Sequence, residues 1–147
     1  MVEEITMTNA LLHAMDGNTK RTFAYPCGDR MIGDSLYLNS IEKDFTGARG
    51  VGNGMLTVEN ADRYNIDCIS VNGQTGEELV NHVKNALQEK KLLVFLFHGV
   101  GGEHGLNVSL QAHRDLLLFL KQNEEETWIA PMVDVAEFIA ERQKQLK

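Results

Sequence analysis

Cysteine, proline and tryptophan are scarce in this chain: its 147 residues hold two, two and one. Cys27 and Cys68 lie far apart and form no Cys-x-x-Cys. That excludes a disulfide framework and a cysteine-based zinc module, and leaves open one disulfide or a reduced pair. Positive charge is also short. Fourteen Lys and Arg stand against 21 Asp and Glu, a net charge of −7. This balance argues against a nucleic-acid or anionic-membrane surface. No apolar run approaches the roughly 20 residues needed to span a bilayer. The opening "MVEEITMTNALLHAM" is acidic and amphipathic, unlike a signal peptide.

What is present is enough apolar residue, 43%, to build a core, which excludes a disordered chain. The length predicts one domain over residues 1–147. In the first half, Ile5, Leu11, Leu12 and Met15 space an amphipathic helix that Asp16-Gly17-Asn18 stops. A short strand is expected at 22–25, a helix near 35–44 and a second strand near 46–49. Gly47, Gly50, Gly52 and Gly54 mark irregular backbone.

The second half alternates. A strand at 66–71 precedes Thr75-Gly76-Glu77-Glu78, which has the spacing of a capping box. The helix it opens carries Leu79, Val80, Val83, Ala86 and Leu87 on one face. Leu92–Phe97 does not alternate and reads as a strand buried on both sides. Ser109 is placed to cap a helix with Ala112, Leu116, Leu117 and Leu120 inward. Trp128-Ile129-Ala130 reads as a strand, and Pro131 starts a last helix with Met132, Val135, Ala136 and Ile139 inward. Strand and helix in alternation predict an α/β fold with mostly parallel strands, whose sites form at the carboxyl ends of strands. Those exits are 26–29, Asn72-Gly73 and 98–105.

The last exit is the sequence's oddest stretch, "FHGVGGEHG". It lacks the third glycine of GxGxxG and is not followed by GK[ST], so a phosphate cradle is disfavoured. His-Gly-x-Gly-Gly is similar to the oxyanion loop of α/β-hydrolases, yet the chain has no GxSxG elbow. Gly33-Asp34-Ser35-Leu36 resembles the nucleophile motif of GDSL hydrolases, but no Asp-x-x-His follows. A helix cap at Asp34 or Ser35 is the favoured reading. His98 has three readings: a satisfied core histidine, a metal ligand, or a general acid or base held rigidly at a strand exit. His104 follows six residues later, a spacing that signals zinc weakly. His13, His82 and His113 fall on helices as solvated or packed residues. Cys27 has no identifiable basic partner for nucleophilic chemistry. Asp29 and Asp134 read as caps or solvated acids. Trp128 is either a core residue or a platform for a sugar ring.

Three segments in order resemble the polysaccharide deacetylase (NodB-homology) family. "RTFAYPCGD" is similar to its Phe-x-x-Pro-Tyr-Gly loop, "LLVFLFHGVGG" to its late Leu-x-His motif, and "WIAPMVDVAEFI" to its closing strand and helix. The resemblance covers most of the chain but only the family's second half. It implies a partial (β/α) barrel and the hydrolysis of N- or O-acetyl groups on carbohydrate. It also implies His98 as the general acid and the Cys27 backbone N–H as an oxyanion donor. Leu96 would line the acetyl pocket, with Pro26 and Trp128 at the substrate. The family's cofactor is a divalent metal such as zinc. Its ligands come from Thr-Phe-Asp-Asp-Gly and His-x-x-x-His motifs, which this sequence lacks. The resemblance therefore implies no metal ligand in this chain and no activated water. It also implies that the other half is lost or carried on another polypeptide, and that the chain is inactive alone. A half barrel would leave strand edges and apolar groups uncovered, so self-association is expected. A non-catalytic carbohydrate-binding or assembly module is the alternative, and a serine esterase using Ser35 ranks third.

Overall fold

A computed structural model describes residues 2–146. The chain divides into two compact units, one of residues 1–50, 61–66 and 131–147, the other of residues 51–60 and 67–130. The elements in chain order are α1 (Val2–Asp16), β1 (Thr22–Ala24), β2 (Met31–Ile32), β3 (Ser35–Leu36), α2 (Leu38–Ile41), β4 (Gly47–Arg49) and β5 (Ile69–Ser70). They continue with α3 (Gly76–Glu89), β6 (Phe95–Leu96), β7 (Gly99–Val100), β8 (Asn107–Val108), α4 (Leu110–Gln122) and α5 (Met132–Gln145). Four of the helices exceed three turns, and the strands pair two by two. Three of the four pairs are parallel: β1 with β4, β5 with β6, and β7 with β8.

The mixed α/β class and the parallel pairing agree with the sequence. The barrel does not appear among the described residues. A barrel needs each strand bonded on both sides. Here each named ladder is two or three residues long and joins a single pair. Only isolated bridges extend them, Arg49 to Ile66 and Leu56 to Leu92.

In the first unit, α1 stops where expected: Gly17 takes φ +71° and its N–H bonds the His13 carbonyl at 2.8 Å. An aromatic cluster forms the core. Tyr25, Tyr37, Leu38 and Ala48 are buried, and Val2, Ile5, Phe23, Phe45 and Tyr64 pack against them. Phe23 meets the Tyr25 and Tyr37 rings edge-on at 5.6 and 6.2 Å. Tyr25 donates its hydroxyl to the Tyr64 carbonyl at 2.7 Å, so its polar tip is satisfied inside. Burial raises the pKa of both Tyr25 and Tyr37, and the Arg30 charge partly offsets this at Tyr25. Helix α5 buries Ala136 and Ile139. A Cβ on Gly47 would lie 2.6 Å from the Arg63 carbonyl oxygen and 2.8 Å from the Ala136 methyl, so glycine sets how closely α5 and β4 approach.

Two expectations fail in this unit. Of the apolar residues on α1, Ile5 packs inward, but Leu11, Leu12 and Met15 are exposed. Ser35 caps no helix: it lies in β3, paired antiparallel with β2 across a turn where Gly33 has φ +58°. Only the shorter α2 follows it.

In the second unit, Val71, Leu79, Val83, Val108, Ala112 and Leu116 make one buried cluster. Leu87, Leu93, Phe95, Phe97, Phe119 and Leu120 close around it. Burying a leucine such as Leu79 fully contributes about 1.5–3 kcal/mol. The capping box is present in full, with Thr75 Oγ1 accepting from Glu78 N and Glu78 Oε2 accepting from Thr75 N. Ser109 caps α4 by accepting from Ala112 N at 3.0 Å. Leu92–Phe97 is half-buried, not buried on both sides, because α3 and α4 pack on one face only. Leu117 faces outward. Trp128-Ile129-Ala130 forms no strand among the described residues, and both Trp128 and Ile129 are exposed.

Replacing Thr75 with alanine should lower stability by about 1 kcal/mol, read from the urea midpoint. The Thr75 hydrogen bonds hold the Glu78 carboxyl below its ordinary 4.5. That contribution is complete above pH 4.5 and is lost as pH falls through the lowered folded value. Alanine keeps the larger backbone N–H bond and loses only the hydroxyl's, so the midpoint difference between wild type and Thr75→Ala should shrink on acidification below pH 4.5 only by the hydroxyl's share.

Candidate functional site

In the second unit, the exits of β5 and β6 lie side by side because the two strands are parallel and in register, Ile69 opposite Phe95 and Ser70 opposite Leu96. Val71 N donates to the Leu96 carbonyl at 2.9 Å. Side chains alternate across an extended segment. Leu93, Phe95 and Phe97 pack on the helix-covered core. Leu96 therefore lies on the opposite face of β6, and His98 follows two residues on, at a bend just past the strand. His98 is exposed at the exit, and its ring stacks on His104 with centroids 5.1 Å apart and planes 17° apart.

The loop between β7 and β8 brings the two histidines together. Gly101, Gly102 and Glu103 all have positive φ, which folds the chain back on itself. Gly99 must be glycine for this: a Cβ there would stand 3.0 Å from both the Gly102 carbonyl oxygen and the His104 Cβ. The loop's amides are used internally. Gly101 N bonds the Val108 carbonyl, Gly102 N bonds Asn107 Oδ1, and Leu106 N bonds His104 Nδ1 at 2.9 Å. These donors do not converge on a common point, which removes support from the phosphate-cradle reading.

Asn107 is the hub, and nothing in its sequence neighbourhood signals it. Its side chain accepts from Gly102 N at 3.0 Å, its carbonyl accepts from Gly73 N at 2.7 Å, and its own N–H donates to Asn72 Oδ1 at 3.3 Å. One asparagine thus ties the exit of β5 to the histidine loop.

The first unit carries the other predicted residues at the exit of β1. Pro26 opens a tight turn in which Gly28 N bonds the Tyr25 carbonyl and Asp29 N bonds that of Pro26. Cys27 between them holds φ +53°, a left-handed conformation that a side chain rarely adopts. Its N–H has no protein acceptor among the described residues, so it remains a free donor. Asp29 serves locally, accepting from Met31 N at 3.0 Å, while its carbonyl receives the Tyr37 hydroxyl at 2.9 Å. Arg30, which was not singled out from sequence, sits over the Tyr25 ring at 5.7 Å.

Among the described residues neither cysteine forms a disulfide; Cys27 is exposed and Cys68 buried. Ser35 is exposed on its hairpin, with no histidine bonded to it among the described residues. His82 packs against Phe95 and His113 against Phe97, while His13 bonds the Asn18 carbonyl. Among the described residues, no group of three or more His, Cys, Asp or Glu is placed to hold a metal ion. The donor set therefore does not fit a catalytic divalent metal. Trp128 is 61% exposed, which moves it from the core reading to the surface.

No family model, no curated protein and no solved structure matches this chain significantly.

Replacing Asn107 with alanine should speed hydrogen exchange at Gly102 N by about 3–10-fold, the worth of one hydrogen bond. Exchange at Gly73 N, which bonds the Asn107 backbone, should change less. Two-dimensional NMR exchange measurements check both amides.

Proposed function

We propose that this chain is a carbohydrate deacetylase-like segment that carries the acid side of the chemistry and does not deacetylate by itself. The observation that supports this is the pair Leu96 and His98. An apolar side chain at a parallel carboxyl end is followed, at the bend just past the strand, by an exposed imidazole beside a glycine loop. On this reading His98 as imidazolium donates a proton to the departing amine or alcohol oxygen, and Leu96 contacts the acetyl methyl. In the first unit, taken by itself, the free Cys27 N–H on the turn that Pro26 opens is the kind of donor the resemblance assigns to an oxyanion. The partial-barrel ancestry belongs to the same proposal.

The family's metal would supply the activated water, and among the described residues no group of side chains is placed to hold it. No hydrolytic step follows from them. The prediction is that acetylated xylan or chitin oligomers release no acetate in the presence of the chain with Zn²⁺ or Co²⁺. Acetate release that depends on His98, together with stoichiometric tight zinc binding, would overturn the proposal.

The exposed Trp128 favours a second reading, a carbohydrate-binding module without catalysis. Titration of the same oligomers by NMR separates the two. Deacetylase-like binding moves the His98 and Leu96 resonances and weakens with His98→Ala. Binding abolished by Trp128→Ala and indifferent to His98→Ala selects the module.

A further inference from the structure

The second unit holds a hydrogen-bond donor that its own fold leaves unused. Asn72 stands just past the end of β5 and is exposed. Its Oδ1 accepts the Asn107 N–H at 3.3 Å. That bond assigns the orientation of the side-chain amide, because only its oxygen can accept. The Nδ2 group lies on the other branch of the trigonal carbon. It carries two N–H donors, and it has no protein acceptor among the described residues. An exposed asparagine ordinarily turns over several rotamers. This one is tethered by its own oxygen, so its donor keeps one direction.

Contacts inside the unit place this donor beside the histidines. Asn107 opposes Gly99 in the β7–β8 ladder, and Gly99 directly follows His98. A Cβ on Gly99 would stand 3.0 Å from the His104 Cβ and 3.1 Å from Asn107 Oδ1. Asn72, Asn107, Gly99, His104 and His98 are thus one contiguous group. The amides around Nδ2 are already engaged. Asn72 N donates to Gln74 Oε1, and Gly73 N donates to the Asn107 carbonyl. Leu96 borders the group through its carbonyl, which accepts from Val71 N, the residue before Asn72.

We infer, resting on the deacetylase-like reading, that Asn72 Nδ2 is a substrate-binding group that donates to the carbonyl oxygen of an acetyl group. An acetyl group combines one strong acceptor, one apolar methyl, and a leaving nitrogen or oxygen two bonds from the acceptor. The group of residues offers a counterpart to each: Asn72 Nδ2 for the carbonyl oxygen, Leu96 for the methyl and His98 for the leaving atom. The ligand is therefore recognised through its acyl oxygen, and a sugar bearing a free amine in place of the acetamide lacks the feature that Asn72 reads. Because the amide is held before the ligand arrives, little side-chain freedom is lost on binding.

The test is a two-dimensional NMR titration of the full chain with chitin oligomers and, separately, with their fully deacetylated counterparts. The Asn72 side-chain amide pair should shift with the acetylated oligomer, together with His98, and should stay in place with the deacetylated one. Asn72→Asp has the same shape and keeps an oxygen for the Asn107 N–H, but it turns the donor into an acceptor. It should weaken binding of the acetylated oligomer at least about tenfold. Hydrogen exchange at Asn107 N should stay at the wild-type rate in this variant, which shows the loop intact. Binding that Asn72→Asp leaves unaltered overturns the inference and leaves the deacetylase-like reading standing. So do equal shifts of the Asn72 amide pair with both oligomers. No shift at His98 or Leu96 with the acetylated oligomer overturns that reading and the inference with it.

Discussion

Parallel pairing of β5 with β6 is the contact on which the second unit depends. Parallel neighbours cannot be joined by a tight turn, so the chain must cross over, and α3 is that crossover. The capping box at Thr75 starts the helix three residues after Asn72, early enough for Leu79 and Val83 to reach the core. The pairing then fixes the alternation of Leu92–Phe97. Leu93, Phe95 and Phe97 go to the helices and Leu96 to the other side, while His98 stands at the bend just past the strand. A shift of one residue in the register would turn Leu96 towards the helices and Phe95 away from them. The site's geometry is thus a by-product of strand register.

The first unit solves a different problem. Its strands are short and its backbone bends repeatedly, so few ladder bonds hold it. Aromatic rings take over, edge to face, and tyrosine hydroxyls reach backbone carbonyls that no strand satisfies. Tyr25 to Tyr64 and Tyr37 to Asp29 are two such ties. The second of these also steadies the turn that carries Cys27. Packing and the candidate oxyanion donor therefore share the same residues.

Helices and caps were legible in the sequence because their signals are local. Thr75 with Glu78, Ser109 before Ala112 and Gly17 after α1 each act within a few residues. Strand ends near Tyr25 and Arg49 were legible for the same reason. What was hidden depends on partners far along the chain. Trp128-Ile129 has strand composition but no strand beside it. Leu11 and Met15 have helical spacing but no core behind them. The periodicity showed a helix and could not show which side the fold would cover. His98 could be picked from its place after an apolar run. Asn107 could not, since its importance comes from Gly73, Asn72 and Gly102, the first two more than 30 residues away. The barrel was expected from resemblance, and the observed pairs do not close one.

The stacked histidines have a consequence for how the loop is held. His104 Nδ1 sits between both polar groups of Leu106, 2.9 Å from its N–H and 3.2 Å from its carbonyl. A neutral ring with its proton on Nε2 accepts from the N–H. A ring carrying a proton on Nδ1 donates to the carbonyl instead. Either way the ring has a partner on the same residue, so the tether survives the exchange of one bond for the other. The tether therefore does not depend on which ring nitrogen of His104 carries the proton, and the surface that His98 rests on keeps its place.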